Sequence, residues 1–205
     1  MMKIESVRAA VSRALDPPGA AWLAEARNQI AADPAALARL FPAVGRKCGR
    51  GQLWTDDQEL IGWTVDDAVR ALLLAGAGID DVTAVYNYGD AAEKRGVLRA
   101  LPLLDLGDSA IPLVLDALRT NDTRLIAAAL GPYAAKYLPP EPWRQAVLKC
   151  VFLSIPLAWV ADLDKRKDAE LIRMMRAFAE ERQAAGRSIP PDVLLIVPDL
   201  RARES

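Results

Sequence analysis

The sequence predicts an all-α fold, a short HEAT-like array of paired helices (an α-solenoid) with no significant β-sheet, and three observations support it. Helix-start signals recur along the chain, with an acceptor side chain standing before a first-turn proline or acid. No segment sustains the alternation of apolar and polar residues that consecutive strands need. The starts are also regularly spaced: Asp90 and Asp122 stand one helix-pair length apart, as in HEAT-like and similar arrays.

In chain order, Asp16 before Pro17 and Pro18, and Asp33 before Pro34, open the first helices. Thr64 leads "VDDAVRALLLAGAG", with acids in the first turn and glycine at the end, where the helix dipole and a left-handed cap favour them. Residues 79–88, "IDDVTAVYNY", have strand propensity, but an Asp80 cap and the Gly89 stop favour a short helix. Asp90 and Glu93 make a capping box for "DAAEKRGVLRALPLL". Asp108, Asp122 and Glu141–Pro142 open the next three helices, and a long amphipathic helix over about 168–185 closes at Gly186. Pairing 64–77 with 80–88, 90–104 with 108–120, and 122–138 with 142–153 places Pro102 and Gly131–Pro132 late in first helices, as bends. The organisation expected is one helical domain over 1–205. It divides into N-terminal helices and a basic loop (1–63), helix-pair repeats (64–153) and C-terminal capping helices (154–205).

Composition narrows the chemistry. The 52% hydrophobic and 26% charged content is that of a folded chain, and a net charge of −1 gives no broad attraction to nucleic acid. The N-terminus carries Lys3, Glu5 and Arg8 and lacks the apolar core of a secretory signal. The apolar run 146–161 is too short to span a bilayer and is interrupted by Lys149 and Pro156. Cys48 and Cys150 form no CxxC pair and suit reduced, cytoplasmic thiols. The chain has no histidine, which removes Ser–His and Cys–His nucleophile pairs and any His-ligated metal. Asp56–Asp57, Asp66–Asp67 and Asp80–Asp81 lie at helix starts, where capping accounts for them without a metal. No cofactor or metal is expected.

Eight residues remain as ligand-binding candidates. Arg46 and Arg50 sit in the glycine-rich basic stretch "GRKCGRG", which can bring amides and guanidiniums to an anion or simply tie itself to a neighbouring helix. Arg95 and Arg99, one turn apart, could capture phosphate or carboxylate, or could form a solvated helix face. Tyr133 and Tyr137 follow the Gly131–Pro132 break and could line a pocket or edge the core. Gln145 and Lys149 share a face of an apolar helix, where a lysine must snorkel, pair or face a cavity.

The stretches "GDAAEKRGVLRALPLLDLGDSAIPLVLDALRTND" (89–122) and "GPYAAKYLPPEPWRQAVLK" (131–149), with "GRKCGRGQL" (45–53) and "LDKRKDAELIRMM" (163–175), resemble the EboA family of bacterial proteins. The resemblance implies a helical-repeat protein from gene clusters that also specify a UbiA-like prenyltransferase, a sugar-phosphate cyclase and barrel-fold metal enzymes. Those clusters serve secondary-metabolite production, including export of a precursor toward the periplasm. The expectation is a non-catalytic binding or scaffold protein for a prenylated or phosphorylated precursor. Its partners would be that small molecule or other proteins of the cluster, without nucleic acid. A small enzyme using Lys149, Tyr133 or a carboxylate is the alternative. Peripheral attachment to a membrane surface and the oligomeric state stay open.

Overall fold

The computed structural model describes residues 3–203; residues 1–2 and 204–205, the extreme ends of the N-terminal and capping segments, lie outside the described residues. Among the described residues every regular element is helical, and the strand-like exception is an isolated antiparallel bridge between Gln52 and Thr64. The chain divides into two compact units after Leu113. The first holds α1 (Ile4–Ala14), α2 (Pro17–Ala32), α3 (Ala36–Leu40), α4 (Val44–Lys47), α5 (Val65–Leu74), α6 (Ile79–Asn87) and α7 (Ala91–Ala100). After α8 (Ile111–Arg119), in which the division falls, come α9 (Thr123–Ala129), α10 (Pro132–Tyr137) and α11 (Pro140–Phe152). α12 (Leu163–Arg166), α13 (Ala169–Ala184) and α14 (Val193–Ile196) complete the second unit.

In the first unit α5 is the axis. All ten of its residues are buried, Asp66, Asp67 and Arg70 included, and it packs against α1, α2, α4 and α7. A helix covered all round needs close neighbours, and Gly96 of α7 supplies one. A Cβ at Gly96 would stand 2.7 Å from Arg70 Cδ. α6 is helical as expected, burying Val82, Val85 and Tyr86 at three- and four-residue spacing. Its N-cap is Gly78 rather than Asp80, which leaves Asp80 and Asp81 in the first turn, where the dipole favours acids.

In the second unit α11 packs on α9 and α13. The Gly131–Pro132 pair separates two helices instead of bending one. α9 ends at Ala129, Gly131 caps the next helix in an extended conformation, and Pro132 occupies its first turn, where a missing N–H costs nothing. Pro102 also falls past a helix end, in a tight 3₁₀ turn over Leu101–Leu103. α11 ends with Ser154 in the left-handed region (φ 55°), where Ser154 N–H donates to Val151 O (3.3 Å) and Ile155 N–H to Cys150 O (2.8 Å). Asp168 caps α13 by accepting from Leu171 N, and Gly186 follows its end at φ 66°.

Cys48 is half-buried and Cys150 buried, and desolvation pushes their thiols up to about 11 and about 12. Both are therefore neutral, weakly nucleophilic thiols near pH 7. No helix among the described residues is long and apolar enough to cross a membrane.

Candidate functional site

The eight predicted residues divide equally between the two units. In the first unit, Arg95 and Arg99 share an anion that belongs to the protein itself. Arg95 Nε donates to both oxygens of Asp67 (3.0 and 3.1 Å), and Arg99 Nη1 donates to Asp67 Oδ2 (2.7 Å). The same carboxylate accepts from the Thr64 backbone N–H (3.2 Å), because Asp67 is the third residue of the helix that Thr64 opens. Arg95 Nη2 donates to Thr64 Oγ1 (3.0 Å) and lies 3.8 Å from Asp66 Oδ2. One turn along, Arg70 Nη1 donates to Asp66 Oδ2 (2.5 Å). Neither aspartate side chain is exposed, whereas Arg95 and Arg99 retain 13% and 20% of theirs. Burial draws the Arg99 guanidinium's pKa below its ordinary value, and Asp67 opposes that shift.

The cluster sets three guanidiniums against two carboxylates, so it is nearly neutralised internally and charged only along its exposed arginine edge. Arg70 Nε and Nη2 have no protein partner among the described residues, and the guanidinium lies 5.5 Å from the centre of the Phe41 ring. Arg46, on α4, and Arg50, beyond it, are exposed and form no ion pair among the described residues. Arg50 lies along Gly45, where a Cβ would meet its Nε at 2.5 Å.

In the second unit Gln145 and Lys149 line one groove of about 320 Å³ between α8 and α11. Glu141, Gln145 and Lys149 recur every fourth residue along α11, and Leu115, Leu118 and Arg119 of α8 face them across an apolar floor with Pro142 and Ala146. The Lys149 ammonium donates to Leu118 O (2.9 Å) and Thr120 O (2.6 Å). It thus caps the carbonyl end of α8, where a cation is electrostatically favoured. Arg119 and Gln145 are exposed in the groove and make no hydrogen bond or ion pair among the described residues. Beside an apolar floor, that leaves one guanidinium and one amide open to a ligand, with a fixed ammonium near them. Glu141 offsets part of the positive charge.

Tyr133 and Tyr137 stack at 4.9 Å between ring centres, tilted by 45°, and do not line this groove. Tyr133 is buried, while Lys136 covers the Tyr137 ring at 4.7 Å. Their helix is closed by Arg166, a residue that sequence reasoning passed over. It donates to Ala134 O (2.6 Å) and Leu138 O (2.7 Å) while stacking over Trp143 at 4.6 Å. Arg119 was also missed; its signal was a cation in the last turn of an amphipathic helix, which reads first as dipole complementarity.

The chain matches the family described as "Metabolite traffic protein EboA" over residues 3–198. No curated protein and no solved structure gives a significant match. The stretches that carry the resemblance hold the parts just described: Arg95 and Arg99 lie in 89–122 and Gln145 and Lys149 in 131–149, all inside a match that takes in nearly the whole sequence. The chain belongs to the EboA family.

Proposed function

We propose that this protein is a non-catalytic binding protein of metabolite traffic and that the α8–α11 groove is where it holds its cargo. The observation that carries this reading is the pairing, in one groove, of an apolar floor (Leu115, Leu118, Pro142, Ala146) with the open polar groups of Arg119 and Gln145. Its volume lies at the lower end of small-molecule sites. An elongated apolar molecule with an anionic head matches it: the guanidinium takes the head, the amide orients it, and the tail lies on the leucines. A prenylated, phosphorylated precursor has that form. We further assign the helices to HEAT-like pairs, and the protein to the cytoplasm beside other proteins of its gene cluster.

Lys149 supports holding over turnover. A Schiff-base lysine must present its nitrogen to a substrate carbonyl, and here donation to the Leu118 and Thr120 carbonyls ties that nitrogen to the end of α8. Isothermal titration with farnesyl phosphate, farnesol and inorganic phosphate tests the proposal. Farnesyl phosphate should bind and be recovered unchanged, and Arg119→Glu, on an exposed residue, should weaken it about tenfold or more, the scale of one charge-assisted contact. Equal binding by the variant, or consumption of farnesyl phosphate by the pure protein, would refute it.

A further inference from the structure

Residues 51–64 form a pinched loop on the first unit, independent of the groove. Gln52 and Thr64 bridge its base, with Leu53 N–H donating to Trp63 O (2.9 Å) and Val65 N–H to Gly51 O (2.8 Å). Leu53, Leu60 and Trp63 are buried beneath it. Thr64 is held by Arg95 and Asp67 of the ionic cluster, and the Arg99 guanidinium lies 5.8 Å from the centre of the Trp63 ring. The loop is therefore anchored along its inner side and at its foot.

On this fixed support two large apolar side chains face outward: Trp54 is 78% exposed and Ile61 60%. One exposed hydrophobe is ordinary, but a tryptophan and an isoleucine both exposed on one short anchored loop are side chains of the kind that interfaces bury. The loop's own charges have a single sign, with the cations Arg50 and Arg99 confined to its foot and inner side. The segment carries Asp56, Asp57 and Glu59 and no lysine or arginine. Asp57 also braces the turn by accepting from Glu59 N–H (2.9 Å). An acidic rim repels anionic lipid and nucleic acid and attracts cationic groups, while a tryptophan face binds cations directly.

We infer that the 51–64 loop is a docking surface for a cationic, amphipathic segment of a partner protein. The partner's apolar side chains cover Trp54 and Ile61, and its lysines or arginines meet the acidic rim. The buried Asp66–Asp67–Arg70–Arg95–Arg99 cluster then serves as the foundation of that loop, which gives a use to ion pairs whose net contribution to stability is small.

The test uses the full chain and a fluorescent Leu/Lys amphipathic model peptide, read by anisotropy. A Leu/Glu peptide of matched apolar content and phosphatidylcholine–phosphatidylglycerol vesicles serve as alternatives. The Leu/Lys peptide should bind, more weakly as salt rises, and the Trp54→Ala/Ile61→Ser double variant should bind it about tenfold less. Asp56→Lys, on an exposed residue, should act in the same direction by charge alone. Arg119→Glu should leave peptide binding unchanged, which separates this surface from the groove. Undiminished peptide binding by the double variant, equal binding of the Leu/Glu peptide, or Trp54-dependent binding to vesicles in place of peptide would overturn the inference.

Discussion

The two units use the same raw material, cations on amphipathic helices, in different ways. In the first, Arg95 and Arg99 close on Asp67, a carboxylate with no exposed surface. In the second, Lys149 closes on the carbonyl end of α8, while Arg119 beside it stays open over an apolar floor. A guanidinium thus marks a ligand site only where the fold has not already supplied its anion. Removing the internal anion should damage folding, and removing the open cation should damage binding alone.

The largest effect tests that division directly. Asp67→Asn keeps the shape of the side chain but leaves Arg95 and Arg99 facing a neutral amide in a buried setting. Breaking one side of a buried ion pair costs about 3–5 kcal/mol, so urea unfolding should show a loss of that order. Arg119→Ala, on the exposed residue, should change stability by less than about 0.5 kcal/mol. Comparable losses for the two variants would erase the distinction between the units.

The next effect is steric. Gly96→Ala places a methyl 2.7 Å from Arg70 Cδ, where α7 crosses α5. Overpacking of this kind costs about 1–3 kcal/mol, against which alanine returns up to about 1 kcal/mol of helix propensity. Net destabilisation by thermal melting is expected. A more stable variant would mean that the α5–α7 crossing yields easily and that the cluster is held less tightly than its geometry requires.

Local features of both units were legible in the sequence, and long-range ones were not. Asp16, Asp90 and Asp122 cap their helices as the spacing predicts, because a cap is made within three residues of itself. The helical character of 79–87 was also legible from its boundaries, despite its strand-forming residues. The partners of Arg95 and Arg99 lie 28 and 32 residues away, a separation over which periodicity carries no information. The pair read as a solvated face or an anion trap, and its anion is a residue taken for a simple cap. Lys149 behaves likewise: its place on an apolar helix demanded a partner, but the carbonyls of Leu118 and Thr120 leave no mark in a sequence. Gly131–Pro132 was recognisable as a break; whether it bends one helix or parts two depends on where the preceding helix ends, the least readable feature of a helix.

Within the second unit the comparison sharpens at Lys149. Lys149→Met keeps the apolar stem and removes the ammonium, leaving the end of α8 without its cap. Charge-assisted hydrogen bonds of this type contribute about 1.5–3 kcal/mol, and partial exposure of the lysine puts the expected loss near the lower end. Farnesyl phosphate binding should persist within a few-fold, because Arg119 and Gln145 remain. Abolished binding in a folded Lys149→Met protein would make the lysine a ligand contact as well as a cap.

The smallest effect has the opposite sign. Ser154 ends α11 with φ 55°, at the position where helices usually carry glycine, and its N–H and that of Ile155 satisfy the carbonyls of Val151 and Cys150. A side chain in that conformation costs about 1–2 kcal/mol. Glycine removes the cost but gives back about 0.5–1 kcal/mol in unfolded-chain entropy. Ser154→Gly should therefore stabilise the protein by about 0.75 kcal/mol, the middle of the range of about 0–1.5 kcal/mol that those two terms leave. Because both hydrogen bonds are made by backbone, they survive the change, and the groove along α11 should bind as before. A destabilised Ser154→Gly protein would show that the serine hydroxyl contributes more at this helix end than the left-handed backbone costs.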